Sequence, residues 1–204
     1  MKFAKLFFFA SVLATNGFAQ NKAADTLQST VTKPVKEDVS DDWADLRHYQ
    51  QQNEQLPPPA RRQKRVVFLG SSIFERWKDT MPDFFSSHPY IDRGISGQIS
   101  PQLLIRFRQD VIDLKPAAVI ILAGSNDISA NHGHVSNQTI MDNVKSMAEL
   151  ARKHHIKVIL CAYLPIFDYP WRRGLQPANL IIALNKEIKA YTEANHFKYL
   201  DYFT

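Results

Sequence analysis

Three short stretches hold the residues best suited to chemistry. Gly70-Ser71-Ser72 places two hydroxyls directly after an apolar run, Val66-Val67-Phe68-Leu69. Gly94-Ile95-Ser96-Gly97-Gln98 offers Gly97, whose bare amide can approach a ligand closely. Gly124-Ser125-Asn126-Asp127 adds the carboxamide donor of Asn126. A hydroxyl, a bare backbone N–H and a carboxamide N–H are the parts that acyl transfer requires. The hydroxyl attacks a carbonyl, and preorganised N–H donors stabilise the negative charge that develops on oxygen. Ser72 is the expected nucleophile. The competing expectation is that Ser71 or Ser72 only caps the helix that follows.

These residues need elements that bring them together, and the chain supplies an alternating series. Residues 65–69 read as a buried strand, and a helix is expected over 73–85. A short strand follows at 90–94. The next helix is expected over 101–114, with Leu103, Leu104, Phe107, Val111 and Leu114 inward and Pro116 closing it. Residues 117–122 form a wholly apolar strand, 141–155 a helix, 157–162 a strand, 178–195 a helix, and 198–201 the start of a fifth strand. Alternating strands and helices imply a parallel sheet covered on both faces. The expected fold class is therefore α/β: a three-layer α/β/α sandwich with a flavodoxin-like, doubly wound parallel sheet. In such a sheet the three motifs fall at the carboxyl ends of neighbouring strands, where ligands bind.

Ahead of this series, residues 42–54 look helical, with Trp43, Leu46 and Tyr49 on one face and Asp41 or Asp42 as cap. Pro57-Pro58-Pro59 then makes a stiff connector. Residues 1–19 read as a secretory signal peptide: Lys2 and Lys5, a short apolar stretch, then Gly17-Phe18-Ala19. Residues 20–41 read as a flexible spacer. The expected organisation is signal peptide, spacer, and one domain over 42–204. That implies an exported protein, periplasmic or secreted. No cysteine follows the cleavage region, so no stable membrane anchor is expected. The only cysteine, Cys161, is expected as a small buried side chain. The net charge of +5 includes Lys2 and Lys5 of the leader. Without a basic stripe interleaved with aromatics, this mild excess argues against a nucleic-acid partner.

The three motifs, in this order and on alternating strands, resemble those of the SGNH hydrolases, or GDSL esterases/lipases. The family's Gly-Asp-Ser matches Gly70-Ser71-Ser72 with one change, its second-block glycine matches Gly97, and its Gly-x-Asn-Asp matches Gly124-Ser125-Asn126-Asp127 in full. The resemblance runs from about residue 42 to the end. It implies that Ser72 is nucleophile and first oxyanion donor, that Gly97 gives its amide, and that Asn126 gives its side-chain N–H. It also implies an acyl-enzyme and a small ester substrate, such as an acylated carbohydrate or a lysophospholipid. No cofactor is implied. Ser71 stands where the family carries Asp; it and Asp127 are expected to support the site from behind.

The family's general base is a His in an Asp-x-x-His after the fifth strand, followed by a final helix. The chain here stops at Thr204 and holds only Asp45-Leu46-Arg47-His48, ahead of the nucleophile and out of family order. The expectation is a domain incomplete at its carboxyl end, lacking the last helix and the base. The alternative is a non-catalytic ligand-binding module with a degenerate site. A nucleotide-binding domain on the same sheet is disfavoured by the lack of both phosphate-loop glycine motifs. Arg93, Trp171 and Arg172 are candidate substrate contacts, each with a plain alternative as a surface or loop residue. His132 and His134 lack a carboxylate or cysteine at ligand spacing, so no metal is expected. His154, His155 and His196 end helices, where a cation suits the dipole.

Overall fold

The computed structural model describes residues 41–204. The expected signal peptide and nearly all of the expected spacer lie outside these residues. Five strands form one parallel sheet: β1 (Val66–Gly70), β2 (Tyr90–Gly94), β3 (Ala118–Ile121), β4 (Lys157–Cys161) and β5 (Lys198–Leu200). Their order is β2-β1-β3-β4-β5, every neighbouring pair parallel. This is the doubly wound order anticipated from the alternation, with its switch point between β1 and β3. Val67, Leu69, Val119 and Ile121 are almost wholly buried, as central strands covered on both faces must be.

Helices α2 (Ser72–Thr80) and α3 (Pro82–Ser86) lie against β1 and β2. Phe68 meets Phe74, Trp77, Phe84, Phe85 and Tyr90 there in an aromatic cluster with centroids 5.3–6.2 Å from its own ring. Helices α4 (Ser100–Ile105), α7 (Asn137–Lys153) and α8 (Ala178–Ala194) pack side by side, α4 on α7 and α7 on α8, with α7 and α8 against β4. Ile140, Val144, Met147, Ala148 and Ala151 form the buried stripe of α7 at helical spacing.

Three expected helices are interrupted. The stretch expected over 73–85 breaks at Met81, because Pro82 at the first turn of α3 pushes the residue before it out of helical geometry. The stretch expected over 101–114 is α4, then α5 (Phe107–Asp110), then a single 3-10 turn over Ile112–Leu114. Leu104, expected inward, is only half-buried; Arg106 takes a fully buried place instead. The stretch expected over 42–54 is helical only in α1 (Gln50–Gln55). Before it the chain turns, with Asp45 at φ +53. Its carbonyls are spent elsewhere: Gln98 Nε2 donates to Ala44 O at 2.7 Å and Gln109 Nε2 to Leu46 O at 2.6 Å. Asp42 accepts from the Arg47 N–H at 3.0 Å, holding a turn rather than a helix start. Trp43, expected on the packed face, is 49% exposed, while Ala44 and Tyr49 are buried. Helix α7 starts four residues earlier than expected, because the Ser136 hydroxyl accepts from the Thr139 N–H and caps it.

Candidate active site

Ser72 sits where β1 hands over to α2. Gly70 closes the strand, Ser71 occupies the N-cap position, and Ser72 is the first helical residue. Neither serine caps the helix with its side chain. The Ser71 carbonyl does the local work, accepting from the Phe74 and Glu75 N–H groups at 3.1 and 3.2 Å. The capping alternative is therefore not what these hydroxyls do. Ser71 is buried, and its hydroxyl and that of Ser125 lie against Tyr163. Burial pushes the Tyr163 phenol up to about 12, opposed by those two hydroxyls. Ser72 is half-buried and bonds to no other described residue through its hydroxyl. Its N–H is one of the orphan donors of a helix start, aimed out of the helix where anions are favoured.

The β2 end lies beside the β1 end, with Gly70 opposite Gly94 and the Ile95 N–H donating to Gly70 O at 3.3 Å. The chain then turns through Gly97 at φ +80. A Cβ there would meet only Asn131 Nδ2, at 4.0 Å, so the constraint is conformational and the space around it is open. The Gly97 N–H makes no backbone bond among the described residues.

The β3 end delivers the third part. Gly124, at φ +117, leads into the short helix α6 (Ser125–Ile128). A Cβ at Gly124 would come within 2.5 Å of Leu184 Cδ2, so both conformation and packing demand glycine. Asn126 is buried and donates one Nδ2 hydrogen to Gln98 O at 2.9 Å, which ties the third block to the second. Its second hydrogen is free of that bond. Its Oδ1 accepts from Asn131 Nδ2 at 3.2 Å, which fixes the amide's orientation.

Asp127 turns away from this mouth. Its carboxylate accepts from the Ser100 N–H at 2.9 and 3.0 Å and from Ser100 Oγ at 2.6 Å, so it caps the start of α4 from across the fold. Burial raises its pKa, and the Ser100 bonds oppose that rise. Asp127 thus braces the second and third blocks against each other.

The expected substrate contacts separate. Arg93 is buried, not presented to a ligand: its Nε and Nη2 hold Asn53 Oδ1 at 3.0 and 2.7 Å, and the guanidinium lies 4.5 Å from the Tyr49 ring centroid. Trp171 and Arg172 do lie on the loop after β4. Trp171 is 61% exposed, yet its Nε1 donates to Asn131 Oδ1 at 3.2 Å and its ring packs 5.0 Å from that of Tyr169. Tyr169 is buried and bonded at 3.0 Å to Ser125 O. Arg172 donates to Ser129 O, which anchors this loop on the segment after α6.

Sequence reasoning missed Asn131, which joins Asn126, Gly97 and Trp171. It also missed the linking roles of Gln98 and Arg106. No local pattern marked these residues, because most of their partners are distant in sequence. Asp45 and His48 do pair, at 3.0 Å, but both are exposed and lie on the segment before α1. No group of three or more metal-ligating side chains occurs among the described residues.

The 2-1-3-4-5 parallel sheet thus carries a serine at the first strand end, a glycine amide at the second and an asparagine at the third, in an α/β fold. The chain belongs to the GDSL-like Lipase/Acylhydrolase family, whose model matches residues 68–204. It is similar to a GDSL-like lipase from Bacteroides thetaiotaomicron: 46% identity, 78% of each chain covered, TM-score 0.77. An acetylxylan esterase from Geobacillus stearothermophilus shares the fold at 17% identity and TM-score 0.55, covering 67% of this chain and 74% of its own. An uncharacterized lipoprotein of Bacillus subtilis (strain 168) is 36% identical over 81 residues, 38% of this chain; the match spans only 33% of that protein's length.

Proposed function

We propose that the protein is an exported serine acylhydrolase that removes small acyl groups from esters, with acetyl on glycans the leading substrate class. The Ser72 Oγ attacks the ester carbonyl as its proton passes, by way of a general base, to the oxygen of the leaving alcohol. The Ser72 N–H, the Gly97 N–H and the free Asn126 Nδ2–H meet the oxyanion. The tetrahedral intermediate collapses to an acyl-enzyme as the alcohol leaves, and water then releases the acid. The observation that carries this reading is the unengaged Ser72 hydroxyl at a helix start, on the same sheet edge as a bare glycine amide and an oriented asparagine. The preference for a small acyl group rests on the rim, where exposed Trp171 and Asn131 set polar edges beside Asn126 and Gly97. Export rests on the leader-like residues 1–19 and fits the lipoprotein relative.

The second reading is a ligand-binding module, in which the same donors and the exposed Trp171 beside Asn131 hold a ligand without turnover. The test is hydrolysis of 4-nitrophenyl acetate and acetylated xylo-oligosaccharides, with fluorophosphonate labelling of Ser72. Turnover and labelling that both vanish in Ser72→Ala support the hydrolase. Saturable glycan binding without turnover or labelling favours the module, and turnover that survives Ser72→Ala refutes the assignment of Ser72.

A further inference from the structure

Arg106 is wholly buried, and its guanidinium is used on every side. Nη2 donates to Gly70 O at 3.0 Å and to Arg93 O at 2.8 Å; Nε donates to Gln98 Oε1 at 2.6 Å; Nη1 pairs with Asp110 Oδ2 at 2.9 Å. Three of the four acceptors adjoin the machinery, and the fourth, Asp110, supplies the countercharge. Gly70 stands two residues before Ser72. Arg93 precedes Gly94, the last residue of β2. Gln98 follows Gly97, and its own carbonyl holds Asn126 Nδ2 at 2.9 Å. One planar group therefore spans the β1 end, the β2 end and the Gly97 loop, and reaches the third block through Gln98.

We propose that Arg106 is a positioning residue for the oxyanion site, setting the distance between Ser72 and the Gly97 and Asn126 donors. The inference rests on the reading of Ser72 as nucleophile. The cost of the arrangement argues for a role beyond stability. A buried Arg–Asp pair loses hydration that an apolar pair of equal volume would not, so such pairs contribute little net stability. Arg rather than Lys is required because only a planar fork can address divergent acceptors at once. The pair is itself steadied: Asp110 Oδ1 accepts from Asn53 Nδ2 at 2.7 Å, and Asn53 Oδ1 holds Arg93. This gives α1 a place in the arrangement, since Asn53 is on it.

The chain carries its own control. Arg65 is also buried, and it clamps Leu114 O and Pro57 O at the opposite end of β1, each at 2.6 Å. It makes the same kind of bonds at the edge away from the site.

The experiment compares Arg106→Lys with Arg65→Lys in the full chain. Readouts are kcat and KM for 4-nitrophenyl acetate, and the NMR signals of the Gly97 amide and the Asn126 side-chain NH₂. Arg106→Lys is expected to cut kcat at least tenfold with KM within threefold, and to shift or broaden both signals. Arg65→Lys is expected to lower the melting temperature while leaving kcat and both signals in place. The double variant Arg106→Met/Asp110→Leu, which removes a cation and its partner anion together, is expected to fold and to reproduce the kcat loss. Unchanged kcat and signals in the Arg106 variants overturn the proposal, as does an equal response from Arg65→Lys. A wild type without esterase activity refutes the hydrolase reading instead; the two NMR signals then decide the positioning role alone.

Discussion

Asp92 should make the protein more stable when its charge is removed. It lies on β2 with only 4% of its surface exposed. Its Oδ1 accepts from the Gly94 N–H at 2.9 Å. Burial raises its pKa from 3.8 to about 6; the Gly94 bond, Lys78 and Arg93 oppose that rise and Glu75 adds to it. The sign follows from linkage. Below pH 3.8 the group is protonated in both states and contributes nothing. As pH rises toward 6, the unfolded chain releases its proton first, so unfolding becomes more favourable. Above that window the full penalty is present, and the gap corresponds to about 3 kcal/mol. Asp92→Asn keeps an oxygen for the Gly94 N–H and cannot ionise. Chemical denaturation at pH 4 and pH 8 should therefore show a variant near wild type at pH 4 and more stable by up to about 3 kcal/mol at pH 8. A variant less stable than wild type at pH 8, or one with an unchanged difference between the two pH values, would refute the reasoning.

Gly97→Ala should fold, because its Cβ meets nothing nearer than 4.0 Å, but a non-glycine residue at φ +80 costs about 1–2 kcal/mol. Displacing that amide should lower kcat on the order of 10²-fold, read in the 4-nitrophenyl acetate assay. Asp127→Ala strands the Ser100 N–H and hydroxyl, so urea denaturation should show a loss of roughly 2–4 kcal/mol, with activity falling as α4 loosens from the third block. Tyr169→Phe removes the bonds to Ser125 at about 1 kcal/mol and frees the ring under Trp171, which should raise quenching of tryptophan emission by acrylamide; an unchanged quenching constant would mean that the loop is held elsewhere.

Much of this protein is legible in its sequence because the signals are local. Apolar runs at 66–69, closed by Gly70, and at 118–123, closed by Gly124, mark central strands, and the spacing of Val144, Met147, Ala148 and Ala151 declares one face of a helix. The strand–helix alternation carries the doubly wound sheet with it, since parallel neighbours need crossovers. The order of the motifs likewise puts Ser72, Gly97 and Asn126 on one edge. The interrupted helices were legible in part: Pro82 is a written break. The segment at 42–49 was not, because Gln98 and Gln109 take its carbonyls from more than fifty residues away.

The side chains around the site depended on tertiary structure in the same way. Arg93 reads as a charged residue beside a strand end, and only the placement of Tyr49 and Asn53 over it makes it a buried one. Asp127 reads as a support behind the site, and only the fold gives it Ser100, on another helix, as its partner. The sequence by itself determined which residues could form an oxyanion site, because residue type and strand-end position are local properties. Only the tertiary structure decided what holds that site together. Arg106, Gln98 and Asn131 act through bonds between segments far apart in the chain, and no spacing rule along the sequence encodes such partners.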